Sequence, residues 1–302
     1  MDKKEAEKYI KAGKILAQVQ KKARKSIKIG GKLLDIAEML ESEITSLDKS
    51  AKPAFPVNLS KNNYAAHYTP SFDDETTADK GDVIKVDIGV HIDGYIADSA
   101  FTIDLSGEHG KMVEAAEQAL ENAVSLVKED VELRKIGAEI ERTIKSYGFK
   151  PVHNLSGHGL MPYITHAQPS IPNIDNNDDR VLEDGMCIAI EPFATDGKGS
   201  IREGVQAEIF QLEDPAPVRS MHARKILEFI DSEYETLPFA ERWLIKGMKP
   251  SLPEFSRKAG LRELMQKRCI RAFPILHEEA GAIVTQAETS VLLHDGKVIR
   301  LL

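Results

Sequence analysis

Two aspartates, Asp87 and Asp98, stand eleven residues apart in the run KVDIGVHIDGYIADSAFT, and the turn between them constrains the fold more than any other feature. Val83 to Val90 alternates apolar and polar residues, Asp93-Gly94 has the composition of a two-residue type I′ turn, and Tyr95 to Ile103 returns as the partner strand. With that loop, residues facing each other across the hairpin have numbers summing to 187. Asp98 then lies opposite Gly89, and Asp87 is its diagonal neighbour on the same face. Gly89 is expected to leave open the space an ion would fill. Two carboxylates this close repel unless one keeps its proton or cations lie between them. Taken alone, the hairpin is explained more simply by a surface aspartate beside a turn-side one, so the rest of the chain has to decide.

A chain of 302 residues can bury a substantial core, in one large domain or two smaller ones. Forty basic against forty-eight acidic residues give a net charge of −8, which argues against a general nucleic-acid or anionic-membrane surface. No apolar run approaches the ~20 residues of a bilayer span, and the start MDKKEAEKYIKAGKILAQVQ reads as a charged amphipathic helix rather than a signal peptide. A cytoplasmic protein is expected. Cys187 and Cys269, the only cysteines, belong to no CxxC or Cys/His cluster and are expected to be buried, unreacting thiols.

Helices are expected over 4–26, ended by Gly30-Gly31, and over 33–47. Ala54 to Pro70 reads as loop and short strand passing near a site or surface. Two more helices are expected over 108–128 and 132–147, with Val113, Ala116, Leu120, Val124 and Val127 at core spacing. Strands and loops follow around NLSGHGLMPYITHAQPSIP, then a strand from Met186 to Phe193. Arg219 to Phe273 is helical and charged, holds the only tryptophan, Trp243, and reads as a compact insert. AIVTQAETSVLL and KVIRLL form a last strand pair around a His294-Asp295-Gly296 turn. No internal repeat or low-complexity tract stands out.

Three more candidate ligands lie in the second half: His158 between glycines, Glu191 at a strand end and Glu288 in the middle of the last long strand. A lone histidine is commonly a hydrogen-bonded core or surface residue, and a strand glutamate commonly faces water. Glu288 fits that bland reading poorly, because Ile283, Val284, Ala287, Val291 and Leu292 make both faces of its strand apolar and a buried carboxylate needs a partner. Together the five residues offer four carboxylates, enough to balance two divalent ions, and one imidazole. Such a set suits Mn, Fe, Co or Zn better than Mg. Two such ions can acidify a shared water and present hydroxide to a carbonyl carbon, the chemistry of peptide hydrolysis.

DIGVHIDGYIADSAFT, AAHYTP, NLSGHG, the HA of THAQ, AIEPFAT and TQAE, in this order and at these separations, resemble the type 2 methionine aminopeptidases of the pita-bread fold. The resemblance runs from about Phe55 to the end, and a helical insert between Glu191 and Glu288 is what sets type 2 apart from type 1. Without a long charged N-terminal extension, the chain is similar to the short archaeal form. The resemblance implies an α/β (α+β) fold: two pseudo-symmetric αβ halves around an antiparallel sheet, one catalytic domain over 1–302 with the insert at 219–273. Gln168 stands where the family has glycine after HA, Thr165 where an aliphatic residue precedes His166, and Thr289 where a histidine follows the last glutamate. These departures bear on the pocket rim.

By the same resemblance, two divalent ions are implied, with Asp87 chelating one, Asp98 and Glu288 bridging the pair, and His158 and Glu191 completing the other. Glu191 would also relay a proton to the leaving amine. His67 and His166 match two non-ligand histidines that contact the scissile amide. Phe55 and Phe193, with part of the insert, would line an apolar pocket for the methionine thioether. The implied activity is removal of N-terminal methionine from nascent chains and peptides with a small second residue, by a cytoplasmic monomer with no specific nucleic-acid or membrane partner. Ribosome docking stays open. The rival readings are a proline-specific peptidase of the same fold, prolidase or aminopeptidase P, and a non-catalytic ribosome- or RNA-associated binder; the five-ligand set weighs against the second.

Overall fold

The computed structural model describes residues 1–248 and 250–302. Its first half is α1 (Lys3–Ser26), α2 (Leu33–Leu47), β1 (Ala51–Pro53), β2 (Asn58–Lys61), β3 (Tyr64–Ala66), β4 (Val83–Ile92) and β5 (Tyr95–Asp104). Asp2 caps α1 in a reciprocal capping box with Glu5, satisfying two N–H groups that the helix start would otherwise leave free. β4 pairs with β1, β2 and β5, and α1 and α2 cover that sheet through Leu16, Val19, Leu33, Ile36 and Leu40.

The second half repeats the arrangement with α3 (Gly110–Leu126), α4 (Leu133–Ser146), β6 (Lys150–Pro151), β7 (Ser156–Met161), β8 (Ile164–Pro172), β9 (Cys187–Ile190) and β10 (Phe193–Thr195). A sequence repeat that inspection did not pick out becomes visible at an offset of one hundred residues. Leu33, Ile36, Leu40 and Ile44 of α2 correspond to Leu133, Ile136, Ile140 and Ile144 of α4, all buried. Gly30 and Asp130, both with positive φ, turn the chain into these helices, and the Leu33 and Leu133 N–H groups each donate to a carbonyl of a following loop. Most other positions of the two helices differ, with Glu41 and Glu141 and Ser46 and Ser146 as exceptions, so it is chiefly the spacing of the core face that survives. Burying each such side chain contributes about 1.5–3 kcal/mol, which explains why those positions are kept apolar in both copies.

After β11 (Arg202–Glu203) and β12 (Ile209–Leu212) comes the insert, with α5 (Met221–Glu233), β13 (Phe239–Ala240), α6 (Glu241–Gly247), α7 (Glu254–Gln266) and β14 (Ile270–Phe273). It is not purely helical: β13 and β14 flank β12 in a small sheet, and Phe210 and Leu212 join its separate core ahead of Arg219. β15 (Leu276–His277), β16 (Val284–Gln286), β17 (Thr289–His294) and β18 (Lys297–Arg300) close the chain. Asp295-Gly296, both at positive φ, make the β17–β18 turn, with His294 opposite Lys297. The five-stranded sheet runs β18-β17-β9-β7-β8. Both cysteines are buried free thiols, and among the described residues no helix is long and apolar enough to cross a membrane.

Candidate metal centre

The hairpin has the register its sequence dictates, with Gly89 opposite Asp98, Asp87 opposite Ala100, and positive φ at Asp93 and Gly94. Asp98 is 3 % exposed; its N–H donates to Ser290 Oγ, whose hydroxyl donates to Asp98 O, both at 2.7 Å. The hairpin is thereby pinned to β17. One expectation fails: a Cβ at Gly89 would lie 2.3 Å from Phe55 Cε1, so the space above that glycine belongs to an aromatic ring and not to an ion.

His158, Glu191 and Glu288 come from the other half. β9 pairs with β17 from Ile190 opposite Thr289, and β10 pairs with β16 from Phe193 opposite Gln286; Glu191-Pro192 and Ala287-Glu288 lie between these ladders. The continuous strands expected over 186–193 and through Glu288 are therefore both interrupted at the ligand. Pro192 has no N–H to continue a ladder, its carbonyl accepts from Ala287 N–H, and Glu288 N–H donates to Ala100 O at 2.8 Å. The paired kinks turn both carboxylates toward the hairpin. His158, on β7 opposite Ala189, has Nδ1 3.3 Å from Gly159 O; donation there leaves the Nε2 lone pair free, 3.9 Å from Asp98 Oδ2 and 3.8 Å from Glu191 Oε1. Gln286 Nε2 donates to Glu191 at 3.3 Å and to Glu288 at 3.4 Å.

Ligating atoms of Asp98, His158 and Glu288 lie within 4.8 Å of one another, and Asp87 and Glu191 line the same cleft. Burial, with repulsion from neighbouring carboxylates, raises Asp98, Glu191 and Glu288 well above the usual carboxylate range. Burial pushes Asp87 up to about 7 and holds His158 down to about 4. Oδ1 of Asp87 and Oδ1 of Asp98 are buried with no hydrogen-bond partner. Orphaned carboxylate oxygens around a neutral imidazole are a donor set suited to divalent cations, whose charge relieves both penalties.

The cleft encloses about 310 Å³. His67 holds a left-handed φ of 66, an uncommon conformation for a non-glycine residue and one that collects at functional sites. Its Nδ1 lies 3.2 Å from Pro274 O, its ring meets Phe273 edge-on at 5.4 Å, and burial lowers its pKa to about 4. His166, open to the cleft, lies 4.6 Å from the His158 ring and stacks on Phe273 at 5.9 Å. Thr165 Oγ1 sits 3.2 Å from its Nδ1. Of the other two departures, Gln168 bonds Arg180, and Thr289 Oγ1 is buried without a partner. Phe55 and Phe193 line the cleft, and so do Ile209, Pro238, Arg271 and Phe273, which no motif marked. They come from the insert and the strand it packs on, and only tertiary contact brings them to the site.

Three comparisons with known proteins bear on the family and the fold. Residues 7–209 match metallopeptidase family M24. Over 98 % of this chain and 98 % of the relative, the sequence is 47 % identical to a methionine aminopeptidase from Archaeoglobus fulgidus. The structure of a thermophilic Arx1 superposes with a TM-score of 0.85 at 19 % identity, covering all of this chain and 91 % of that one. A methionine aminopeptidase from Thermotoga maritima gives 0.71 at 21 %, covering 100 % and 97 %. At these identities the two structures speak for the pita-bread fold alone.

Proposed function

The chain belongs to metallopeptidase family M24 and, within it, to the methionine aminopeptidases, and from that premise we propose how its own residues carry out metal-dependent removal of N-terminal methionine. Asp87, Asp98, His158, Glu191 and Glu288 would hold two divalent ions, a reading supported above all by the two orphaned aspartate oxygens at the meeting point of the halves. The chemistry such ions would supply there is Lewis-acid polarisation of the scissile carbonyl and acidification of a water at neutral pH. Co, Mn, Fe and Zn all suit the ligands.

Around that centre, Glu191 takes a proton and returns it to the leaving amine. The neutral histidines divide the amide between them. His67 donates from Nδ1 to Pro274 O and so presents the Nε2 lone pair, which accepts from the substrate N–H. Thr165 donates to His166 Nδ1, leaving an Nε2–H for the developing oxyanion. Phe55, Phe193, Ile209 and Pro238 enclose the methionine side chain and exclude water. The second residue is then directed toward the narrow ground between His67 and His166, so glycine, alanine and serine fit and long side chains clash.

We place this activity in one domain over 1–302, with 219–273 as its insert, acting as a cytoplasmic monomer on nascent chains, and we leave docking on ribosomes to a cosedimentation assay. The deciding experiment is metal analysis with kcat/KM on Met-Xaa-Ser peptides, using protein loaded with Mn, Fe, Co or Zn. Leucine or aspartate in second position should lose ten- to hundredfold or more against alanine, given the ~1–3 kcal/mol a pocket clash costs. Equal rates for all second residues would sink the selectivity. Preference for a second-position proline whatever the first residue would favour the prolidase reading, and an inert, metal-free protein the non-catalytic one.

A further inference from the structure

Far from the ligands, a buried ion pair joins the first half to the insert. The Arg242 guanidinium on α6, fully buried, bonds the Glu41 carboxylate on α2, which also accepts from Trp243 Nε1 at 2.8 Å and from Val57 N–H at 3.1 Å. Arg242 Nη1 reaches Thr69 Oγ1 at 2.8 Å and Pro70 O at 3.0 Å, and Thr69 Oγ1 bonds Val57 O at 2.8 Å. Three of the four segments meeting at this hub carry a wall of the cleft within four residues: Phe55 near Val57, His67 near Thr69, and Pro238 ahead of Arg242; the fourth, α2, supplies Glu41.

Pro238 is a thin wall. On its far side lies a second cavity of about 370 Å³, which Glu41, Tyr234 and Trp243 also line. Space on both sides of Pro238 leaves it fewer packed neighbours than a core residue has, so the bonds that fix the segments around it matter more. A buried charge pair with one unpartnered nitrogen, Arg242 Nε, is also a poor device for stability alone, since an apolar pair of similar volume would serve as well or better. Its contribution is directional: a guanidinium fork and a carboxylate accept one relative placement of α2 and α6.

We propose that Glu41 and Arg242 form a positioning strut that holds Pro238 against the cleft and so sets the width of the pocket for the substrate's first side chain. The inference rests on the methionine aminopeptidase reading. Neither residue touches substrate; both act through Pro238.

The test compares Met-Ala-Ser with its ethionine analogue, one methylene longer, on metal-loaded protein. Wild type should discriminate about tenfold or more, as a close-fitting pocket does for one methylene. In Arg242→Met and Glu41→Gln the ratio should fall to near one, with KM for Met-Ala-Ser raised several-fold and kcat nearly unchanged. Arg242→Lys, keeping the charge without the fork, should recover part of the ratio, and Lys246→Ala, which breaks the half-exposed Lys246–Glu38 pair between the same two helices but none of the buried bonds around Pro238, should leave it intact. If Arg242→Met fails to fold, Glu41→Leu/Arg242→Met removes the charges together and carries the same expectation. Calorimetric binding of methioninol and ethioninol reads the ratio without turnover. An inert wild type would therefore fail the aminopeptidase reading, whereas a ratio that stays at the wild-type value in every strut variant, with only Tm falling, would overturn the strut.

Discussion

The two halves of this molecule share one skeleton and use it differently. Each packs a helix pair with the same core spacing over antiparallel strands, yet the first half presents its candidate ligands on an unbroken hairpin, whereas the second presents Glu191 and Glu288 where strands break and only His158 from within a strand, β7. In the hairpin, pleat and register alone bring Asp87 and Asp98 to one face. In the second half, Glu191 and Glu288 leave the pleat at Pro192 and Ala287, and each is held by bonds to other strands. Regular structure delivers ligands by counting residues; kinks deliver them only when the neighbouring strands are in place.

The largest effect that would break this contrast is at the ligands. Asp98→Ala and Glu288→Ala should each remove both ions and lower activity by well over a hundredfold, more than the 10- to 100-fold that changes to outer-shell partners cost. His158→Ala should weaken mainly one ion. Metal content and kcat on the purified variants check this, and a fully active Asp98→Ala protein would dissolve the pairing of the halves.

The same contrast explains what was legible in the sequence. The hairpin could be numbered residue by residue, because a two-residue Asp-Gly turn leaves one register, and α1 to α4 could be placed within about two residues from their apolar spacing, whereas α5 to α7 were legible only as one helical stretch. Glu191 and Glu288 could be singled out as candidate ligands, Glu288 because its strand is apolar on both faces, but their placement at kinks could not, since strand periodicity carries no signal for a kink; Pro192 was the one local clue. Gly89 misled for a related reason. A glycine announces close approach without saying by what, and only the fold reveals that Phe55 arrives there. Ile209, Pro238 and Phe273 were beyond reach because tertiary packing alone brings them to the cleft.

Glycines sharpen the comparison at the next level. An added methyl at Gly159 would meet Gln168 O at 2.2 Å, and at Gly157 Ala189 O at 2.2 Å; both are carbonyls of strands beside β7. At Gly89 it would meet the Phe55 ring, which can tilt. Gly157→Ala and Gly159→Ala should therefore cost ~3 kcal/mol or more, and Gly89→Ala ~1 kcal/mol together with a raised KM as Phe55 is pushed into the pocket. Urea unfolding and Met-Ala-Ser kinetics separate the two, and equal losses of stability would remove the distinction between rigid and yielding neighbours.

A pH-dependent effect concerns the tips where the two hairpins touch. His91, 6 % exposed in β4, accepts the Gly94 N–H at Nδ1 over 3.0 Å, and its ring lies 5.8 Å from that of Tyr163, at the β7–β8 turn, whose N–H donates to Gly94 O. Burial lowers its pKa from 6.5 to about 4. The fold thus favours the neutral ring: this stabilisation is fully present above the unfolded value of 6.5 and is lost as pH falls through about 4. Between pH 7 and pH 5 the loss from this one group should be about 2 kcal/mol. His67 and His158 follow the same direction, so the measurement is the difference in urea midpoint between wild type and His91→Asn across that range. The variant keeps an acceptor near Gly94 but has nothing to protonate, and its midpoint should fall less steeply with acid. Parallel curves would mean that the docked tips carry no proton-linked stability and that the hairpins meet there by packing alone.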